Sequence, residues 1–394
     1  MAGQGELLKL TDVTPMTVTV DDQRGPISYC FVRVTADSGM VGYGESCDSY
    51  GCTYAGLVAE AVEQALAPLV LGEELDSVER IVARMESHTR RRLGLGGVAA
   101  QARSGVEGAL WDLAAQDAGR SLSRLLGRVR EKVEVYASTG FLEECDAEAQ
   151  LRRLAPLLDR GVKRVKVRIG PSWRDDLETL SELRRLLGTD IDVTVDGSET
   201  FSEPTAVEIV HRLQQLGVSW FEEPLVHDSV SGIERLSARS SVPLAYGEHL
   251  FTVGEALDLL QRSGVSVLQP DAATCGLTAA RTMARLADQF AVKVVPHICA
   301  GPVAVALNLH LAASTKGVRL VEYPFDQAPF WRMLAPQSAL GVEAIDDGHL
   351  AVPDAPGLGV VIDEDAAAAH PYRLPGERVA GHSSGLPDRF AGDV

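Results

Sequence analysis

Val193-Thr194-Val195-Asp196-Gly197-Ser198, Trp220-Phe221-Glu222-Glu223-Pro224 and Ala245-Tyr246-Gly247-Glu248-His249 are three short apolar runs, each ending in a carboxylate. From Asp196 to Glu222 and from Glu222 to Glu248 the step is the same, 26 residues. A strand, a loop, a helix and a return loop take about that many residues. In a parallel β/α barrel the three acids would therefore fall at corresponding ends of successive strands and converge. Three converging anions raise each other's pKa and destabilise the fold unless a cation sits among them. An oxygen-only donor set of this kind suits a hard divalent metal, Mg²⁺ before others.

The same unit extends in both directions. Nearly continuous apolar, β-branched runs at 133–138, 163–167, 191–195, 218–221, 243–247, 266–269, 293–296 and 319–322 predict eight strands covered on both faces. Leu- and Ala-rich helical segments lie between them. The fold class expected is α/β, a modified TIM barrel of (β/α)7β type over residues 131–340. Residues 1–130 read as an α+β capping domain. Alternating strands surround Thr17-Val18-Thr19-Val20 and Cys30-Phe31-Val32-Arg33-Val34, followed by helical periodicity at 55–70, 76–87 and 98–119. Residues 341–364 read as turns and short strands returning to that cap, within a C-terminal segment 341–394 whose Gly-, Ser- and Pro-rich tail from about Pro371 is expected to be mobile.

Composition narrows the function. The chain has 394 residues, 37 Lys plus Arg against 55 Asp plus Glu, and a formal net charge of −18. Binding to nucleic acid needs clustered cations that such a chain lacks, so none is expected. No apolar run reaches transmembrane length and the first residues have no signal-peptide character, so no membrane partner and a cytoplasmic location are expected. Cysteines at 30, 47, 52, 145, 275 and 299 have a spacing that suits neither a disulfide framework nor a zinc site, and read as reduced thiols.

In a barrel of this kind the site lies at the C-terminal strand ends. Read in order, those ends supply Lys166 and Arg168, Asp196, Glu222, Glu248, Gln269 with Asp271, His297 and Glu322. Asp271 and His297 are also 26 residues apart, so the carboxylate can hold the imidazole in one tautomer, the arrangement of a general base. Two polar segments of the cap, 21–25 and 44–51, can close over the barrel mouth and select the substrate. They contribute the candidate substrate contacts Asp22, Arg24, Ser46, Asp48 and Tyr50, beside Ser198 and His249 of the barrel.

This pattern resembles the enolase superfamily, and within it the mandelate racemase-like subgroup, over nearly the full chain. The resemblance is carried by Glu107-Gly108-Ala109-Leu110-Trp111-Asp112-Leu113, Lys166-Val167-Arg168-Ile169-Gly170, Val195-Asp196-Gly197-Ser198, Trp220-Phe221-Glu222-Glu223-Pro224, Gly247-Glu248, Asp271, His297 and Glu322. It implies that Asp196, Glu222 and Glu248 bind Mg²⁺, that Lys166 and Glu322 contact a substrate carboxylate, and that Asp271-His297 moves a proton. The substrate would be a small anionic acid and the protein a homo-oligomer.

The chain departs from the family pattern at Arg168, where relatives carry a second lysine, and at Ser198, where many carry asparagine. A racemase needs a base on each face of the substrate carbon, and guanidinium is a poor proton acceptor. One base on one face favours α-proton abstraction followed by loss of a β-hydroxyl group, the dehydration of a sugar acid to a 2-keto-3-deoxy acid. The departing hydroxyl would take its proton from His297 or from a cap residue. The alternatives are a racemase or epimerase passing through the same ene-diolate, a Schiff-base aldolase on Lys166, and a non-catalytic barrel.

Overall fold

The computed structural model describes residues 7–22, 25–48, 51–142 and 146–374. Arg24, Tyr50, Cys145 and the tail beyond Leu374 lie outside the described residues. The chain opens with β1 (Leu10–Asp22), β2 (Gly25–Ala36) and β3 (Val41–Ser46), an antiparallel sheet in that order. Helices α1 (Ala55–Ala61), α2 (Ala67–Val70), α3 (Val78–Arg90), α4 (Gly97–Asp117) and α5 (Leu122–Leu125) follow. The Ser77 hydroxyl caps α3 by accepting from Arg80 N. Helix α4 is buried along most of its length because β3 packs on one side of it and the barrel on the other. That contact depends on glycine. A Cβ at Gly44 of β3 would run into the Gly105 carbonyl of α4 and stand 2.7 Å from the Ala109 amide nitrogen.

The barrel alternates strand and helix: β4 (Lys132–Phe141), α6 (Ala147–Leu158), β5 (Arg164–Arg168), α7 (Trp173–Leu187), β6 (Asp192–Asp196), α8 (Glu203–Gln215), β7 (Phe221–Glu222), α9 (Val230–Ser237), β8 (Leu244–Tyr246), α10 (Val253–Arg262), β9 (Val267–Leu268), the short α11 (Ala272–Cys275), α12 (Leu277–Gln289), β10 (Lys293–Val294), α13 (Pro302–Ser314) and β11 (Leu320–Tyr323). Side-chain caps set several helix starts: Asp146 for α6, Ser202 for α8, and a full capping box of Thr252 and Glu255 for α10. Strands pair in parallel from β4 to β10, and β11 pairs β4. Between β10 and β11 the ring is closed by a Val294–Val318 bridge and by Glu322 N donating to Pro296 O. Eight parallel strands with seven helical connections give the expected (β/α)7β barrel.

Because strand residues alternate faces, those two positions before the strand-end polar groups point the same way as those groups. Trp220, Val267, Val295 and Leu320, which precede Glu222, Gln269, His297 and Glu322 by two, form a separate buried cluster with Tyr136 and Ala245. This apolar plug is the dry floor of the site.

The C-terminal segment visits both parts. β12 (His349–Ala351) pairs antiparallel with β4. After α14 (Ala328–Leu334) and that strand, Leu358 N donates to Asp112 Oδ1, Leu122 N to Gly357 O, and the Tyr43 hydroxyl to Glu364, at the head of α15 (Glu364–Ala368). The expected onset of mobility at Pro371 is too early. Pro371 bridges Val18, and Arg373 N donates to the Thr19 hydroxyl, so these residues are held against β1. The five described cysteines are free thiols. Among the described residues no helix is long and apolar enough to cross a membrane.

His310, in the fully buried α13, accepts from Ser123 N through Nδ1 and meets Leu358 O through Nε2. Burial lowers its pKa from 6.5 to about 4. Between those values the unfolded chain binds the extra proton, so this contribution to stability is whole above pH 6.5 and is lost as the pH falls toward 4. Urea denaturation from pH 7.5 down to pH 4.5 should therefore show a steeper acid loss for the wild type than for His310→Gln. Gly44→Ala should cost about 1–3 kcal/mol through overpacking and lower Tm.

Candidate active site

The parallel register brings the strand-end groups onto one rim. Lys166 pairs Thr194, Arg168 pairs Asp196, Asp196 pairs Glu222, and Glu322 pairs Tyr136. Lys166 is completely buried. Its Nζ lies 2.5 Å from Glu222 Oε1, 2.7 Å from Glu322 Oε1 and 3.6 Å from Asp196 Oδ2. Burial alone would lower the lysine pKa, but Glu222 and Glu322 outweigh it and hold the ammonium well above its ordinary value. Glu322 is held low, at about 2, because Lys166, His297 and Arg168 outweigh its burial. Arg168 Nε donates to Asp196 Oδ2 at 2.9 Å and its Nη1 to Thr139 O at 3.0 Å. Burial would lower its pKa, but Asp196 more than offsets this, so Arg168 remains a fixed cation.

Asp196 Oδ1 accepts from both the amide and the hydroxyl of Ser198, at 2.7 and 3.1 Å. Glu222 Oε2 accepts from Gln269 Nε2 at 2.8 Å and Trp220 Nε1 at 3.2 Å. Glu248 follows Gly247, whose φ is +146° and where a Cβ would stand only 2.6 Å from Gln269 N, so that no side chain fits. Burial lifts the Glu248 carboxyl to about 8 despite nearby His297. On the facing strands His297 Nδ1 lies 3.1 Å from Asp271 Oδ2, while Nε2 is 3.6 Å from Glu248 Oε2. Burial pulls the imidazole pKa down, yet Glu248, Glu322 and Asp271 together hold it up at about 9.

Among the described residues, the buried His297 Nε2 and Gln269 Oε1 have no hydrogen-bond partner. Glu322 Oε1 is held by its 2.7 Å ion pair with Lys166. Unsatisfied polar atoms above a dry floor mark a place built to receive another polar species.

The cap candidates behave differently. The Ser46 hydroxyl packs on α4 beside Gly105. Asp48 accepts from Thr53 N at 2.8 Å within its own turn. Of Asp22 only the backbone is described, pairing with Gly25. His249 does not stand alone, since its Nδ1 meets Glu223 Oε2 at 2.9 Å. Burial would lower its pKa, but Glu223, Glu248 and Glu199 raise it to about 10.

Several further groups are invisible to sequence pattern. Glu223 and Glu199 hold His249 and His227, and Glu45 reaches from β3 to Gly301 N and Ala304 N at the start of α13. No local pattern signals contacts across more than 250 residues of chain. Ser198, Glu199 and Glu223 have φ of 43°, 57° and 35°, a left-handed backbone held in place by hydrogen bonds such as Glu199 N to Glu223 O.

Among the described residues, Glu223-Glu248-His249 and Glu199-His227-His249 each bring three candidate ligand atoms within 4.8 Å of one another. In the second set the imidazoles stack with centroids 4.5 Å apart and 13° between planes, and each Nδ1 already meets a carboxylate. In-plane lone pairs of parallel rings do not converge, so this set is a hydrogen-bonded brace.

Residues 8–127 match the family model of the mandelate racemase / muconate lactonizing enzyme N-terminal domain, and residues 147–366 match the enolase C-terminal domain-like model. The chain belongs to the enolase superfamily. Within it the chain stands in the mandelate racemase-like subgroup. It is 32% identical over 340 residues to the arabinonate dehydratase of Saccharolobus solfataricus, covering 86% of this chain and 89% of that one. It is 29% identical to the D-galactarolactone cycloisomerase of Agrobacterium fabrum, over 88% and 92% of the two chains. A mandelate racemase/muconate lactonizing protein from Paracoccus denitrificans PD1222, solved with magnesium, superposes with a TM-score of 0.80 at 29% identity, covering 92% of this superfamily member and 97% of the other chain.

Lys166→Met would strand its buried carboxylates without their counter-charge. At pH 7 it should cost about 3–5 kcal/mol in urea denaturation. The penalty should shrink at acid pH, where the carboxylates neutralise themselves by taking up protons.

Proposed function

We propose that this protein is an Mg²⁺-dependent acid-sugar dehydratase, which removes the proton α to a carboxylate and eliminates a β-hydroxyl group to give a 2-keto-3-deoxy acid. The observation that carries this reading is the asymmetry of the site. One side has His297, steered by Asp271 and, among the described residues, with Nε2 free of a hydrogen bond; the other has Lys166, ion-paired with Glu222 and Glu322, and Arg168, a guanidinium that donates to Asp196 and is a poor proton acceptor. A base on one face supports elimination, whereas racemisation needs one on each. The dehydratase name of the Saccharolobus relative agrees with this reading.

The residues present fit a hard cation. Asp196, Glu222 and Glu248 are buried oxygen donors at three adjacent strand ends; their oxygens do not all lie within 4.8 Å of one another, so they would hold Mg²⁺ by turning toward it. Bound there, the ion would supply a Lewis acid for one oxygen of the substrate carboxylate. Lys166 would meet the other oxygen, so charge developing on the ene-diolate finds an ammonium already in position, with the Glu322 carboxylate as that ammonium's counter-ion. His297 Nε2 takes the α-proton, and the released electron pair expels the β-hydroxyl, which leaves as water with the proton returned by the protonated His297 or given by a cap residue. The enol then tautomerises to the 2-keto product. Because Glu248 and Glu322 hold His297 near 9, neutralising their charge is what lowers the imidazole into the range of a working base.

A screen of aldonic and aldaric acids with Mg²⁺, read as semicarbazide-reactive 2-keto acid, should find a substrate. His297→Asn should lose at least about 1000-fold in turnover, together with α-proton exchange in D₂O. Deuterated epimer formed without loss of water would instead indicate an epimerase.

A further inference from the structure

We propose that Asn308 is a positioning residue, which fixes the Asp271 carboxylate and through it the His297 imidazole. Helix α13 is buried at every position and otherwise largely apolar, an environment in which a carboxamide is costly unless its polar atoms are paired. Those of Asn308 are. Its Nδ2 donates to Asp271 Oδ1 at 2.9 Å and to Ala304 O at 3.1 Å, and its Oδ1 accepts from Ala272 N at 3.1 Å. Asp271 Oδ1 also accepts from Ala273 N at 2.8 Å. One carboxylate oxygen is thus pinned from two directions, which turns the other, Oδ2, toward His297 Nδ1. The imidazole is held as the tautomer that donates from Nδ1 and presents Nε2 to the cavity.

The pin is anchored at both ends. Asn308 sits on a helix whose first turn is tied to the cap by Glu45, through Gly301 N at 2.5 Å and Ala304 N at 2.9 Å. The α11 turn that follows Asp271 is braced by cap residues: Ala273 O accepts from Cys47 N at 3.0 Å and from the Ser104 hydroxyl at 2.5 Å, and the Thr274 hydroxyl donates to Cys47 O at 3.3 Å. Seating of the cap and orientation of the dyad therefore share one rigid path. Without the Asn308 contact, Asp271 Oδ1 keeps one amide donor and its carboxylate can rotate, which loosens the aim of Nε2.

The inference rests on the reading of His297 as base, and the test separates the two. Asn308→Leu removes both polar ends at similar volume; Asn308→Asp keeps the shape and the acceptor but loses the donor and faces Asp271 with a like charge. In both variants kcat should fall about 10- to 100-fold with KM little changed. The downfield proton resonance of His297 Nδ1–H, assigned by its absence in His297→Asn, should shift or vanish. A merely structural role would lower Tm but leave that resonance and the kcat of the folded fraction as in the wild type, and this result in either folded variant would overturn the proposal. If His297→Asn remained active, the base assignment would fall, while the resonance in the Asn308 variants would still decide whether Asn308 orients the imidazole.

Discussion

A single ammonium, that of Lys166, lies buried among Asp196, Glu222 and Glu322, and much of the site's charge balance rests on it. Five carboxylates occupy the rim when Glu248 and Asp271 are added, against two fixed cations and an imidazole. Burying charge is costly unless it is paired, so the ring stands as built because strand register brings Lys166 and Arg168 beside the acids. The remaining negative surplus is what makes the oxygen donors attractive to a divalent ion. The apolar plug beneath them keeps water from screening these charges from below, so each acts at greater strength than it would in solvent.

Around that centre, support comes in short braced pieces. Ser198, Glu199 and Glu223 accept left-handed backbone, and the resulting loops aim two carboxylates at His227 and His249 and two donors at Asp196. Conformations of this kind cost energy and persist only where neighbours over-determine them. Here the neighbours are the hydrogen bonds between adjacent strand-end loops, so the loops hold one another.

The barrel and its ring of polar groups were legible in the chain because both follow from local repetition. Strand and helix periods recur at a regular step, and a strand's last inward residue is set by alternation, so Lys166, Asp196, Glu222, Glu248, Asp271, His297 and Glu322 could be placed before any contact was known. The short strands β7, β9 and β10 have only two paired residues each, yet their apolar runs marked them. The cap was less readable. Ser46 and Asp48 have the polarity of substrate contacts, but one is packed on α4 and the other closes its own turn. Asn308 and Glu45 left no trace, since the partners that matter lie 36 to 259 residues away and an Asn or a Glu has no pattern that names a distant amide or carboxylate. Pro371 to Arg373 resembled a loose tail in composition while being bound to β1 by a bridge and a hydroxyl contact, which composition does not encode.

The path of the C-terminal segment has a consequence for how the chain is made. Asp112, in the cap helix, serves the amides of both Tyr43 and Leu358, and β1 is bridged by Pro371. A ribosome delivers residues in order, so the first sheet emerges long before the strands and turns that complete its bonding. Until then the cap is held unfinished while the whole barrel is synthesised, with Asp112 lacking one donor and β1 lacking its bridge. The cap, translated ahead of the barrel, is thus completed only after it.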